Sequence, residues 1–406
     1  MRLRFGFIGL FLAFALLAPT AAAVAERLPT VSGARVGLHP DLTRLVFEID
    51  RSLPYKIFTL ADPFRVVIDF PEVSWRVPPA RMRASVGLVS GFRFGLFQPG
   101  NSRVVVDVNT PAAVASHFVI PPKDGKPLRF VLDLKAVSRN AFFSAPRSLE
   151  SEGWAKRERL QRPKTKAGTA RRPTDRRRVV VLDPGHGGVD PGAVGVTGSY
   201  EKHITLAVAK AAKRVLEASG RYRVVLTRTR DVYVRLRDRF EIAHDSEAEM
   251  FLSLHADSIG SRKVRGGSIY TLSDKASDKE AEDLAKRENK SDIIAGADLT
   301  GYASEVSRVL IDLAQSDTNR ESWYLAKMLI GELKKSIRLL RTSHRYAGFA
   351  VLKSPNVPSA LIELGYLSNR TDEKKLKSPK YREAIGRAIL RAADRYFARK
   401  DLNNRS

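Results

Sequence analysis

Three side chains of the types that hold zinc stand at separate points in the C-terminal half of the chain. His186 lies in a loop rich in Gly and Pro at 183–192, Glu201 follows shortly after it, and His255 comes directly after the apolar run 250–254. Two imidazoles and one carboxylate leave the fourth position of a tetrahedral zinc ion free for water, as in hydrolytic zinc sites. The candidate chemistry is therefore hydrolysis assisted by a metal ion.

The composition limits how such a metal could be held. The chain has 406 residues, seven His and no Cys, which excludes disulfides, thiolate nucleophiles and Cys-ligated metals. His203, two residues after Glu201, is the nearest competing ligand, but positions i and i+2 face different sides of a helix. His203 is therefore interpreted as a non-ligand. The same interpretation is given to the remaining histidines, which are His39, His117, His244 and His344.

Alternating strand and helix patterns over 179–400 favour an α/β catalytic domain with a mostly parallel, twisted sheet flanked by helices. Apolar residues recur at helical spacing after Glu201, which places this carboxylate in the first turn of an amphipathic helix. Strands are predicted at 179–182, 223–227, 250–254, 266–272, 349–352 and 360–362, and helices at 236–244, 322–340 and 381–399. Because the carboxyl ends of parallel strands share one edge, His186, Glu201 and His255 are expected to converge there.

The N-terminal half is of a different kind. Residues 31–137 contain β-branched and aromatic runs separated by Pro and Gly, with a weakly repeated pattern of Arg, apolar residues and Asp. An all-β sandwich domain of two stacked sheets over 26–138 is predicted to precede the catalytic domain. It has no His, Asp and Glu cluster with metal spacing, so binding rather than catalysis is expected of it.

The segment 139–178 between the two regions carries 13 Lys or Arg against four Asp or Glu. Strong net charge with little apolar periodicity predicts a basic, disordered linker. It would serve as a solvated tether. The alternative is that it is attracted to carboxylates of the cell wall, an interaction that salt should weaken.

The first 25 residues predict export. Arg2 and Arg4 precede the apolar run 5–17, which is followed by Pro19 and the small residues at 23–25. This order is typical of a cleavable signal peptide for the general secretory route, whereas a membrane anchor would need about 18 apolar residues or more. The formal net charge of +26, from 70 Lys and Arg against 44 Asp and Glu, points to a polyanionic partner. Export makes an envelope component the expected partner and no nucleic acid is expected.

The segments 183–192, 254–258 and 362–369, together with Glu201, resemble the zinc-dependent N-acetylmuramoyl-L-alanine amidases over about 220 residues. Residues 31–137 are similar to the amidase N-terminal (AMIN) domain, a β-sandwich thought to bind peptidoglycan. The pair of domains resembles the cell-division amidase C type. His244 departs from the pattern, because an Asn is usual there.

The resemblance implies that His186, Glu201 and His255 are the ligands of one Zn²⁺ per catalytic domain and that Glu363 is the catalytic carboxylate. Glu363 would take a proton from the attacking water and pass it to the leaving L-alanine nitrogen, a role worth about 10²- to 10⁴-fold in rate. The implied reaction is hydrolysis of the amide between N-acetylmuramic acid and L-alanine in peptidoglycan. It would take place in the periplasm, enriched at the septum, during separation of daughter cells.

An insertion at about 273–319 exceeds what the α/β unit needs. Ala281, Leu284, Ala285 and Glu288 share one face of a predicted helix, and Val306, Val309, Leu310 and Leu313 form an apolar stripe on a second. The resemblance implies a regulatory segment that blocks zinc until an activator of the LytM type, a degenerate metalloprotease, displaces it. Glu288 is the candidate cap of the open zinc position, with Glu280, Glu282 and Asp283 as other candidates, and the stripe would receive the activator. The alternative is an ordinary two-helix excursion.

Two other classes of function stay open. One is a non-catalytic peptidoglycan-binding envelope protein, which the presence of all four expected polar residues argues against. The other is a zinc peptidase that cuts within the stem peptide. A monomer is expected, and a nucleic-acid protein would require binding with a steep salt dependence.

Overall fold

The computed structural model describes residues 27–78, 85–146, 148–161, 177–297, 308–354 and 356–403. The predicted signal segment 1–25 lies outside the described residues. Among the helices of the described part, none combines the length and apolar character needed to cross a membrane.

The N-terminal domain is built from two five-stranded sheets, as the sequence predicts. One has the order β5-β1-β2-β9-β8 and the other the order β10-β3-β4-β7-β6. The strands are β1 (Thr30–His39), β2 (Leu42–Ile49), β3 (Lys56–Leu60), β4 (Arg65–Pro71), β5 (Ser74–Trp75), β6 (Val89–Gln98), β7 (Asn101–Val108), β8 (Ala112–Ile120), β9 (Leu128–Ala136) and β10 (Ser148–Glu150).

Alternate residues of these strands fill the space between the two sheets. Along β2, Thr43, Leu45, Phe47 and Ile49 are buried while the residues between them are partly exposed, which is the period of two expected of a strand with one face in a core. Phe130 of β9 packs beside Phe47 of the neighbouring strand β2 and against Phe70 of the opposite sheet. The domain is therefore a sandwich with an apolar, aromatic core.

The prediction of a disordered linker is wrong for 139–161. Helix α1 (Arg139–Ser144) begins with the Ser138 hydroxyl accepting from the Ala141 amide, β10 pairs antiparallel with β3, and helix α2 (Glu152–Gln161) follows. Phe142 and Trp154 are buried, so a few scattered apolar residues hold this segment on the sandwich despite its charge. Residues 162–176 lie outside the described residues.

The C-terminal domain has a six-stranded sheet of order β12-β11-β13-β16-β14-β15, parallel except where β14 meets β16. This confirms the predicted α/β fold. The strands are β11 (Arg178–Pro184), β12 (Tyr222–Leu226), β13 (Met250–His255), β14 (Gly267–Leu272), β15 (Leu339–Ala347) and β16 (Ser359–Glu363), and the helices are α3 (Glu201–Ala218), α4 (Leu236–Asp245), α5 (Lys279–Glu288), α6 (Ser291–Ile294), α7 (Arg308–Leu333), α8 (Arg370–Lys377) and α9 (Pro379–Asn403).

Two predicted elements of this domain are wrong. The run 349–352, expected as a strand, instead contains a short 3-10 turn at Ala350–Leu352. Its apolar residues Val351 and Leu352 are buried as predicted, but a turn buries them as well as a strand would. The helix expected at 322–340 ends at Leu333, and β15 takes up the following residues. Leu325, Leu329 and Leu333 carry the helical periodicity into the core. Ile337 continues the spacing and is also buried, but the chain turns at 334–336, so the sequence pattern alone overestimates the length of the helix.

Candidate metal centre

The four polar residues singled out in the sequence meet at one edge of the sheet. His186 follows β11, Glu201 is the first residue of α3, His255 ends β13, and Glu363 ends β16. His255 and Glu363 are directly paired in the parallel register of β13 and β16. All four are buried, with between 0% and 7% of each residue exposed. The topology thus brings them together as expected.

Nitrogen and oxygen atoms of three of these residues converge closely. Glu201 Oε2 lies 3.1 Å from His186 Nε2, and Glu201 Oε1 lies 3.2 Å from His255 Nδ1. A fourth residue joins them, because Glu288 Oε2 lies 3.4 Å from His186 Nε2 and 3.2 Å from His255 Nδ1. The donor set is two imidazoles and two carboxylates around a common point.

The unpaired atoms of this cluster fit a cation. His186 Nε2 and His255 Nδ1 are buried and make no hydrogen bond of normal geometry to any described residue. Buried polar atoms without partners are costly and rare in folded proteins. Imidazole nitrogen and carboxylate oxygen are zinc ligands, and atoms of His186, His255 and Glu288 lie within 4.8 Å of one another. The residues present therefore suit zinc.

Hydrogen bonds outside the cluster fix the orientation of its members. Asp190 Oδ2 lies 2.9 Å from His186 Nδ1, which leaves Nε2 facing the cluster. The carboxylate of Glu201 accepts the Ala193 amide at 2.8 Å and the Ala256 amide at 2.7 Å, one on each oxygen. Such contacts set imidazole tautomer and ligand direction at metal sites.

The loop that carries His186 needs glycine for space. A Cβ placed on Gly185 would lie 2.4 Å from the His255 ring, and one on Gly192 would lie 2.6 Å from the His186 ring. Real Cβ atoms do not approach other atoms so closely. The Gly-rich composition of 183–192 therefore lets two histidines reach one point.

A buried ion pair between Asp183 and Arg239 lies at the start of the loop that carries His186. Asp183 accepts from Arg239 at 2.8 Å, from the Ser253 hydroxyl at 2.7 Å and from the Thr227 hydroxyl at 2.6 Å, which ties β11 to α4 and to both neighbouring strands. Arg239 also donates to the His186 carbonyl at 3.0 Å. The loop is thus held by side chains on three other elements.

Glu363 differs from the converging carboxylates in its surroundings. Its Oε2 accepts the Asp257 amide at 3.1 Å, whereas its Oε1 is buried and has no hydrogen-bond partner among the described residues. Burial raises the pKa of Glu363 well above its usual range, and the carboxylates of Asp257, Glu201 and Glu288 add to the rise. A buried carboxylate oxygen without a partner, on the residue paired with His255 in the sheet, is suited to exchange a proton.

The pKa values of His186 and Glu201 are shifted more by neighbouring charges than by burial. Burial disfavours the protonated form of His186, but the carboxylates of Asp190, Glu201 and Glu288 outweigh it and raise the His186 pKa well above 6.5. Burial also disfavours ionised Glu201, but His186 and His255 hold the pKa of Glu201 well below its usual range. A cluster of this kind stabilises positive charge at its centre.

Helix α5 closes the site. Its last residue, Glu288, is the candidate cap, and the remaining space between it, His186, His255 and Asp183 is a cavity of only about 10 Å³. That is at the lower limit for one water molecule. Glu280, Glu282 and Asp283 instead pair with Arg345, Lys286 and Lys279 respectively, away from the histidines.

The segment formed by α5 and α6 is attached to the site by polar contacts. Arg287 donates to Asp257 at 2.6 Å, and the Ser291 hydroxyl donates to Asp190 at 2.5 Å. The apolar face of α5 predicted from the sequence packs on the sheet beside Tyr270 and Phe349. We call residues 279–297 the lid. Of the predicted activator stripe, Val306 lies outside the described residues, as do the side chains of Val309, Leu310 and Leu313.

Sequence reasoning missed the residues that support the site. Asp257 and Ser291 carry no recognisable spacing, because their partners Arg287, Glu363 and Asp190 are distant in the chain. Only the position of Asp190 four residues after His186, within the same Gly-rich loop, gave a local signal.

Comparison with known proteins agrees with this geometry. Residues 180–395 match the family model of N-acetylmuramoyl-L-alanine amidases, and residues 32–132 match the AMIN domain. The chain is 33% identical over 394 residues to N-acetylmuramoyl-L-alanine amidase AmiC of Neisseria meningitidis, covering 94% of both chains. It is also 33% identical over 376 residues to the AmiC of Escherichia coli, covering 91% of this chain and 89% of the relative.

A solved structure, the N-acetylmuramoyl-L-alanine amidase AmiC2 of Nostoc punctiforme, is 29% identical and covers 54% of this chain and 97% of its own, with a TM-score of 0.40. The family model alone spans more than half of the present sequence, and the two AmiC relatives align with nearly all of it. With its sandwich and its zinc-type donor cluster, the chain belongs to the N-acetylmuramoyl-L-alanine amidase family.

Proposed function

We propose that the chain hydrolyses the amide bond between N-acetylmuramic acid and L-alanine in peptidoglycan. The observation that carries the proposal is the convergence of His186, Glu201 and His255 beside the unpartnered oxygen of Glu363. Membership of the amidase family supports the choice of bond.

In this proposal His186, Glu201 and His255 hold one Zn²⁺. Zinc at this place would supply a Lewis acid for the scissile carbonyl and would make a water molecule acidic near neutral pH. Glu363 would receive the proton of the attacking water at Oε1 and deliver it to the departing L-alanine nitrogen. Its position is fixed by β16 and by the hydrogen bond from the Asp257 amide.

The reaction is tested by incubating residues 26–406 with purified sacculi and zinc and sequencing the released peptide ends. Because the lid is expected to block the site in the parent chain, little release is expected from it. A variant with 277–316 replaced by a short linker is therefore included. Peptides that begin with L-alanine support the amidase, and ends within the stem peptide would indicate a peptidase. Glu363→Gln, which keeps the shape of the side chain, should abolish release while zinc content is unchanged. Binding to sacculi without any release would favour the non-catalytic alternative.

We further propose that the lid keeps the enzyme inactive at rest. Glu288 lies 3.4 Å from His186 and 3.2 Å from His255, against 3.1 and 3.2 Å for Glu201. The cavity of about 10 Å³ leaves no space for a glycan or a peptide. An activator of the LytM type would displace the lid, using the stripe formed by Val306, Val309, Leu310 and Leu313. If the 277–316 replacement is no more active than the parent chain, the lid is not inhibitory.

The place of action follows from the same proposal. A signal peptide at 1–25 would export the chain to the periplasm, and the N-terminal domain would bind peptidoglycan and concentrate the enzyme at the division septum. N-terminal sequencing of the cellular protein tests export, since the mature chain should begin near residue 26. Imaging of the chain with and without 26–138 tests the role of the domain at the septum.

A further inference from the structure

The outer face of one sheet of the N-terminal sandwich is covered by the end of the lid. Strands β4 and β7 alternate, so Val66 and Val104 point into the sandwich core while Val67 and Val105 point outward. These two outward valines are nevertheless 0% exposed. A Cβ on Gly296 of the lid would lie 3.0 Å from Val105, which shows how closely the lid backbone approaches the sheet.

Three arginines of this sheet face donate to lid carbonyls. Arg65 donates to the Ile293 carbonyl at 2.5 Å, Arg93 to the Ile294 carbonyl at 2.5 Å, and Arg103 to the Gly296 carbonyl at 2.6 Å. The arginines come from three neighbouring strands, β4, β6 and β7. Their guanidinium groups therefore form one donor surface, which we call the arginine clamp and define as Arg65, Arg93 and Arg103.

The sandwich fixes the clamp before it meets the lid. Arg103 is held by both oxygens of Asp69, at 2.6 and 2.8 Å, and its guanidinium lies 3.5 Å from the centre of the Phe97 ring. Arg93 pairs with Asp107. Prearranged donors lose less side-chain entropy when they bind than mobile surface arginines do.

The lid needs such donors. Helix α6 has four residues, and a helix so short is unstable without external contacts. The Ile293 carbonyl accepts the Gly296 amide at 3.0 Å, but carbonyls at the end of a helix have few intrahelical partners and are stabilised by outside donors. The clamp supplies three positive donors at that end.

The clamped end of the lid is joined directly to the metal centre. Ser291 donates to Asp190, the partner of His186, and Asp292 accepts the Leu236 amide at 3.0 Å and the Tyr233 hydroxyl. Glu288 lies three residues before Ser291. A displacement of α6 would therefore loosen the carboxylate at the histidines.

We propose that the N-terminal domain also inhibits the enzyme, because its arginine clamp holds the lid in the closed position over the metal centre. This inference rests on the proposed function, since it assigns to the wall-binding domain a part in inhibition of the zinc site.

The test compares two double variants of residues 26–406. Arg65→Ala with Arg93→Ala removes two lid contacts and leaves the Asp69 pair of Arg103 in place. The matched control is Arg35→Ala with Arg44→Ala, which removes two arginines from the other sheet, paired there with Glu48 at 2.9 Å and with Asp133 at 2.7 Å. Hydrogen exchange of the amides of 294–297 and the rate of zinc removal by EDTA are measured, together with release from sacculi.

We expect exchange at 294–297, zinc removal and resting activity to rise about tenfold in the clamp variant and to be unchanged in the control. Val105→Gln, an outward substitution that spares the sandwich core, should act in the same direction if the arginine variant does not fold. Unchanged exchange in both clamp variants would overturn the proposal, and so would faster exchange with unchanged zinc removal. If no form, including the 277–316 replacement, releases L-alanine ends, the proposed reaction fails, but exchange and zinc removal still decide on the clamp.

Discussion

At the residue scale, the two carboxylates nearest the histidines differ in how they are held. Glu201 accepts a backbone amide on each oxygen, whereas Glu288 accepts no backbone hydrogen bond from the described residues. Burial raises the pKa of Glu288, and the nearby histidines only partly offset this. The backbone therefore holds Glu201 in place and does not hold Glu288. In the proposed zinc site, Glu201 would be the fixed ligand and Glu288 the displaceable one.

This difference predicts the effect of removing Glu288. Glu288→Ala should raise resting amidase activity by about tenfold, because one contact that closes the site is lost. Release of peptides from sacculi measures it. Glu282→Ala on the same helix is the control, since Glu282 pairs with Lys286 on the outer side. Equal activity of both variants and the parent would remove Glu288 from the inhibitory role.

Asp190 connects His186 to the lid, and its two contacts can be separated. Asp190→Asn should lower zinc affinity by about 10- to 100-fold, because the imidazole loses the carboxylate that orients it. Ser291→Ala removes only the lid contact to the same oxygen, so it should leave zinc affinity unchanged and raise resting activity. Competition with a chromogenic zinc chelator measures the affinity. A loss of affinity in Ser291→Ala would show that the two contacts cannot be separated.

At the element scale, the loop after β11 must pass very close to the end of β13. Gly185→Ala should displace the His255 ring, because the added methyl group would lie 2.4 Å from it. The bound zinc per chain, measured by mass spectrometry of the metal, should fall well below one. Gly260→Ala, at a loop position where a Cβ meets nothing within 4 Å, should bind zinc as the parent does. Full zinc content in Gly185→Ala would show that the loop can shift to accommodate the methyl group, which contradicts the prediction.

The sequence predicted those elements that have one strong periodicity. Strands β11, β12, β13 and β16 and helices α3, α4 and α9 lie close to their expected positions, because each fills a core with a regular apolar pattern. Strand β15 was missed because its residues are mostly polar or partly exposed. The candidate histidines were found at strand ends and Glu201 at the start of a helix, whereas Asp257 and Ser291 depend on tertiary pairing that no local pattern encodes.

The buried pair of Asp183 and Arg239 joins several elements, and its loss should be costly. Asp183→Ala would leave Arg239 charged and unpaired in the interior, which typically lowers the free energy of unfolding by about 3–5 kcal/mol. Denaturant unfolding of the C-terminal domain, followed by circular dichroism, measures it. Arg237→Ala breaks an exposed pair with Glu241 on the same helix and should cost less than about 1 kcal/mol. Similar losses in the two variants would contradict the role of the buried pair.

At the scale of the whole molecule, the N-terminal domain contacts the loop that carries His186 as well as the lid. The Leu96 carbonyl of β6 accepts the Tyr233 amide at 3.0 Å, and Glu72 pairs with Arg230 at 2.8 Å. Phe97 packs with Val189, Tyr233 and Ala295 in a small apolar cluster between the domains. The sandwich is thus positioned against both the loop that carries His186 and the lid.

Gly95 marks the closest approach of the two domains. A Cβ there would lie 2.4 Å from the backbone of Gly188 and 2.7 Å from that of Val189, and backbone atoms at such a contact cannot move aside as a flexible side chain would. Gly95→Leu should therefore separate the domains. The sandwich itself should stay folded. Gly95 is on the face of β6 that meets the other domain, whereas Phe92 is on the face that packs into the sandwich core.

Small-angle scattering measures the separation, and a larger radius of gyration is expected for Gly95→Leu. Gly37→Leu, in a strand position where a Cβ meets nothing within 4 Å, should scatter as the parent does. Separation of the domains should also speed hydrogen exchange of the amides at 294–297, because the arginine clamp belongs to the N-terminal domain and would lose its contacts with the lid. An expanded molecule whose lid amides exchange at the parental rate would show that the lid stays closed by its contacts with the catalytic domain alone.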